Sequence, residues 1–111
     1  MNREAKNILI QVCSFLERDE QDVMEGSRIK QDVEARYIAV AIAVDCFFPT
    51  FSLKTIGSWF FPLNSNSAHS MVLHANKKIE QWKIKRVGFK DKMNGCMNMC
   101  CNMDFDAIPQ L

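Results

Sequence analysis

Residues 51–82 read FSLKTIGSWFFPLNSNSAHSMVLHANKKIEQW, and this stretch decides the fold. Its spacing predicts a short helix over 53–60, started by Ser52, whose hydroxyl can accept an orphan backbone N–H at the N-cap. Residues 61–67, FPLNSNS, are polar and carry a proline, and read as a connection. A second helix begins near Ser67 or Ala68 and runs to about Lys85. On it Val72, Ala75, Ile79 and Trp82 share one face, while Ser70, His74, Lys77 and Gln81 line the opposite one. One side packs and the other presents donors and acceptors.

Outward from this core, Ile8, Leu9, Val12, Phe15 and Leu16 form a helical stripe within a segment of about 3–22, with acids gathering over 17–25. Gly26-Ser27 punctuates the chain. A helix of about 34–47 follows, apolar on most sides through its Ala-Val-Ala-Ile-Ala-Val run, and so expected at the centre of a bundle. Phe48-Pro49 should stop it, because proline disfavours helical backbone in the residue before it. Beyond Gly88 the pattern fades into a Cys- and Met-rich stretch, 93–103, with no assigned structure. The expected fold is all-α, a small helical bundle containing a helix-turn-helix. Its parts are an N-terminal amphipathic helix (1–26), the helix-turn-helix domain (27–86) and a Cys/Met-rich tail (87–111).

Composition narrows the function classes. A chain of 111 residues has room for one core, and 48% hydrophobic with 24% charged residues is globular, not disordered. The longest apolar run, Tyr37–Val44, is far short of the ~20 residues that span a bilayer. The mixed-charge start Met1-Asn-Arg-Glu-Ala-Lys has no signal-peptide core, so a cytoplasmic location is expected. Five cysteines, an odd count, read as reduced thiols. The net charge of +1 conceals a division: 1–26 carry three bases against six acids, 27–90 ten against four, and 91–111 one against three. A basic centre between acidic flanks suits a module that meets a polyanion, although a solvated charged surface looks the same.

In a helix-turn-helix the second helix enters the DNA major groove and its N-terminal residues reach the base edges. Here those residues are Ser67, Ala68, His69, Ser70 and Met71, with Lys77, Lys78, Lys83, Lys85 and Arg86 farther along to meet phosphates. The residues themselves add to the pattern. Ala35-Arg36-Tyr37-Ile38-Ala39, Phe51–Phe60 and the His-Ser-Met-Val-Leu-His-Ala-Asn-Lys-Lys-Ile-Glu block of His69–Glu80 resemble the C-terminal DNA-binding domain of the bacterial replication initiator DnaA. Order and approximate spacing agree across Ser27–Trp82, about half the chain.

That resemblance implies a Trp repressor-like helical fold that reads duplex DNA with one helix in the major groove and an arginine in the adjacent minor groove. By position it makes Arg36 the minor-groove arginine and His69 and Ser70 the base readers. Lys77 and Lys78 become phosphate or flank contacts, with Ser52 and Lys54 facing the backbone; Ser67 and His74 complete the expected DNA-binding set. Two departures stand out. The family's tight Gly-Gly-Arg-Asp turn is replaced by a longer connection, with Ser67 nearest the Arg place and Ala68 in the Asp place. The chain also lacks a Gly-rich Lys-Ser/Thr phosphate loop, so no ATPase activity is expected of it. Losing one bidentate base contact costs ~1–3 kcal/mol of discrimination, so duplex binding should survive better than box specificity.

Other readings are less demanding. His69 and His74, five apart on a helix, diverge by roughly 140° and do not make a shared metal pair. Cys96, Cys100 and Cys101 with Met97, Met99 and Met103 could hold a soft metal, but lack Cys-x-x-Cys spacing, and packed thiols are the commoner case. Most aromatics between Phe47 and Phe61 should be core, with Phe61 and Pro62 exposed. Arg36 could equally cap, or pair with Asp32. No paired carboxylates or Cys–His arrangement suggests catalysis, and no cofactor or small-molecule substrate is expected. The expected partner is double-stranded DNA, with a homodimer as the route to useful affinity and no membrane. The alternative is a protein-interaction adaptor that keeps the fold without the DNA.

Overall fold

The central element is α3 (Lys30–Phe47), around which all the other helices pack. A computed structural model describes residues 2–101, the side chains of 63–65 and 101 excepted. The remaining elements are α1 (Arg3–Leu16), α2 (Glu20–Met24), α4 (Leu53–Phe60), a 3₁₀ segment (Pro62–Ser67), α5 (Ala68–Lys85) and α6 (Phe89–Cys101). The fold is thus all-α, and no strand occurs among the described residues.

In α3, Ala35, Ile38, Ala39, Val40, Ala41, Ile42 and Ala43 are all buried. Consecutive burial means that no face is left for water, the outcome expected of a helix apolar all round. Alanine at alternate positions keeps its surface low enough for several neighbours to approach. The helix starts earlier than the apolar run suggests, at Lys30, and ends at Phe47 with Phe48 extended before Pro49.

The N-terminal stripe does not continue as one helix to residue 22. Glu17 takes a left-handed conformation (φ 58°), and the N–H of Arg18 returns to the carbonyl of Cys13. Asp19 then caps α2, accepting the N–H of Asp22 at 3.0 Å. The break turns the chain so that Val23 enters the core. The Cys/Met-rich stretch is helical through α6. Phe89, Met93, Cys96 and Cys100 recur at helical spacing and are buried, α6 lying along α1.

Three charged residues of α3 are buried with the apolar ones. Asp32 accepts from Arg18 Nε at 2.7 Å and from the Ser27 hydroxyl at 2.7 Å. Glu34 pairs with Arg86 and with Lys92 Nζ, the latter at 2.9 Å. Arg86 also lies over Trp82 and Phe89, at 5.3 and 5.0 Å from the ring centroids. These contacts tie the end of α5 and the start of α6 back to α3.

Candidate nucleic-acid interface

Ser52 is the N-cap of α4: its side chain accepts the Thr55 N–H at 3.1 Å, and its hydroxyl donates to Thr55 Oγ1 at 3.0 Å. From this start Ile56, Gly57 and Phe60 turn inward, while Lys54 and Thr55 stay exposed. The contact with α5 is close because position 57 has no side chain. A Cβ there would sit 2.6 Å from the Ala68 carbonyl oxygen and 2.8 Å from Val72 Cγ2. Ala68, Val72, Ala75 and Ile79 form the buried face of α5.

The opposite face of α5 points outward. His69 and Ser70, in its first turn, are exposed, as are Leu73, His74 and Lys77; Lys78 and Gln81 are half-buried. Among the described residues no carboxylate pairs with Lys54, Lys77 or Lys78. Glu80, the acid nearest on α5, is bonded to Lys83 at 3.1 Å. Ser67 stands at the N-cap position without a side-chain cap bond to the helix.

Tyr37 of α3 is an unforeseen member of this surface. Its ring meets His74 edge-on at 5.8 Å and stacks on Trp82 at 6.0 Å, 20° from parallel. His74 is therefore oriented by an aromatic edge as well as by its helix. Spacing along the sequence cannot show this pairing, because the two residues lie on different helices.

Arg36 has a different use from the one its position suggests. It is 8% exposed, its Nε donates to the Val23 carbonyl at 2.9 Å, and a terminal nitrogen donates to the Ser27 carbonyl at 3.0 Å. Burial lowers its pKa, opposed by Tyr37 and Asp32. Instead of standing out beside α5, the side chain secures the α2–α3 turn; Asp32 is engaged by Arg18. The exposed cation of this turn is Arg28. Gly26-Ser27 just before it was a legible turn signal; the inward course of Arg36 was not, because carbonyl acceptors leave no mark in the side-chain sequence.

The aromatics divide unevenly. Phe47, Phe60 and Phe61 are buried, Trp59 is half-buried, and Phe48 and Phe51 are exposed. Phe61 thus differs from its expected exposure. Its N–H still bonds to the Gly57 carbonyl, so the chain has not yet left α4 when the ring turns into the core. Pro62 is exposed.

Compared with family models, curated proteins and solved structures, the chain matches none.

Proposed function

We propose that this chain is a DnaA-like helix-turn-helix protein that docks on double-stranded DNA through α5, as a binder and not an enzyme. The observation that carries the reading is the division of α5 into two faces. The apolar residues of the resembling block are held against α4 across Gly57, and its polar residues His69, Ser70, His74 and Lys77 are exposed. A helix held by one face and presenting short polar side chains in its first turn has the form needed to reach base edges. Lys54, Lys77 and Lys78, without carboxylate partners among the described residues, supply cations for phosphates. Arg36 is assigned to holding the α2–α3 turn, and Arg28 is the cation that this turn offers to the backbone.

Fluorescence anisotropy with a labelled random duplex and a DnaA-box duplex, across a salt series, tests the reading. Affinity should fall linearly with salt on logarithmic axes, with a slope of about −0.9 per neutralised phosphate. A gap between the duplexes would assign base reading to His69 and Ser70. Absence of binding at low salt would reject the DNA reading.

The adaptor reading keeps one specific observation in its favour. Leu73 is 48% exposed in the middle of the polar face of α5, where an apolar side chain suits a protein groove. It becomes the better reading only if DNA binding fails.

A further inference from the structure

Arg36 is a buried cation with no carboxylate in hydrogen-bond contact, Asp32 attracting it only through space. The two acids nearest it along α3 are already engaged, Asp32 by Arg18 and Ser27, Glu34 by Arg86 and Lys92. Its hydrogen-bond partners are the neutral carbonyls of Val23 and Ser27, which occupy Nε and one terminal nitrogen. The other terminal nitrogen makes no hydrogen bond among the described residues and keeps its contact with solvent, while burial of the rest of the group lowers its pKa. A guanidinium taken from water with only neutral acceptors gains strongly from an anion at its remaining edge.

The space for that anion is present. Arg36 lines a groove of about 260 Å³ between the α2–α3 turn, α3 and the start of α5, and the exposed Arg28 lines it as well. Met24, Val33, Tyr37, Phe60 and Met71 supply apolar wall, and no carboxylate of the described residues lines it. Two cations, one of them more than nine-tenths buried, against an apolar wall specify a ligand with an anionic head and an apolar body.

We propose that this groove binds a small amphipathic anion, a carboxylate or phosphate monoester with an aromatic or short aliphatic body, its head on Arg36 and Arg28 and its body against Met24, Tyr37 and Met71. The volume suits a single ring and its head group, not a nucleotide or a lipid chain. A DNA phosphate satisfies the arginines but leaves the apolar wall unused, so this site does not depend on the DNA reading.

Phenyl phosphate, inorganic phosphate and phenol are the probes, titrated into the full chain and followed by calorimetry and by methionine methyl resonances. Phenyl phosphate should bind with Kd below about 1 mM, at least about tenfold more tightly than either fragment, and should shift the Met24 and Met71 methyls first. Arg28→Ala should weaken it by about three- to tenfold in a normally folded protein. Arg36→Met should abolish binding; because it also removes the latch on the turn, Val33→Trp, which fills the groove and keeps both arginines, is the second variant and should abolish binding too. Equal affinity for inorganic phosphate would reduce the site to a generic phosphate contact and overturn the proposal. Methyl shifts confined to other methionines, or full binding by a folded Val33→Trp protein, would also overturn it.

Discussion

Gly57 of α4 faces the Ala68 carbonyl so closely that a Cβ at position 57 would stand 2.6 Å from that oxygen, a backbone atom that no rotamer change can move aside. The two helices of the candidate DNA-binding motif are therefore set at their separation by the absence of a side chain. The separation in turn fixes how far His69 and Ser70 project.

Replacing Gly57 by alanine tests this contact. Overpacking costs roughly 1–3 kcal/mol, and the better helix propensity of alanine returns about 1. A net loss of up to about 2 kcal/mol is expected in urea unfolding, against the gain of about 1 kcal/mol that glycine-to-alanine gives in an exposed helix. A midpoint raised by the full gain of an exposed glycine-to-alanine change would show that α4 and α5 are less closely packed than described.

Asp32 predicts a pH dependence. The Arg18 and Ser27 hydrogen bonds hold its carboxyl below the ordinary value of 3.8, against the opposing effect of burial. A carboxylate with a lowered folded-state pKa stabilises the protein above its unfolded value, and that contribution is lost as pH falls through the lowered one. At pH 7 Asp32→Asn should therefore lower Tm by about 5 °C. The gap from wild type should narrow as pH falls below about 4. A gap constant from pH 7 to pH 2.5 would separate Asp32 from acid unfolding.

The buried thiols should be slow to react. Burial pushes Cys13 up to about 11, with Glu20, Asp32 and Asp19 adding to the effect; burial likewise raises Cys96 to about 11. At pH 8 both remain thiols, and alkylation proceeds through the thiolate. Iodoacetamide followed by peptide mass spectrometry should modify the exposed Cys46 well before Cys13 or Cys96, and unfolding should remove the difference.

Charge and readout separate within α5. Replacing Lys77 and Lys78 by alanine should weaken all duplexes alike and shallow the salt slope by about one unit per lost phosphate contact. Replacing His69 or Ser70 should change the ranking of duplexes and leave the slope nearly intact. Identical behaviour of the two sets in anisotropy would reject the proposed docking orientation.

Legibility followed the range of the interactions. Ser52 and the bounds of α4 and α5 could be read directly, because N-capping and the two faces of α5 are set by residues within a few positions of one another. The early stop of α1 could not, because Leu16, Glu17 and Arg18 carry no glycine or proline to mark the left-handed turn. The helical state of α6 was hidden in a similar way. Its stripe of Phe89, Met93, Cys96 and Cys100 is periodic, but cysteine and methionine signal metal chemistry as readily as core. Within the candidate site, the exposure of His69, Ser70 and Lys77 followed from periodicity, whereas the inward turn of Arg36 depended on carbonyls nine and thirteen residues away.

By itself, then, the sequence determined an all-helical chain with a buried α3, a capped α4 and a two-faced α5, since these rest on local propensity and periodic burial. Only the tertiary structure decided which charges face water and which are enclosed. Asp32, Glu34 and Arg36 stand at alternate positions near the start of α3, yet each is buried against a partner on a different segment. The physical reason is desolvation: a charge can leave water only where a complementary group waits, and that group's position is fixed by the packing of the whole chain.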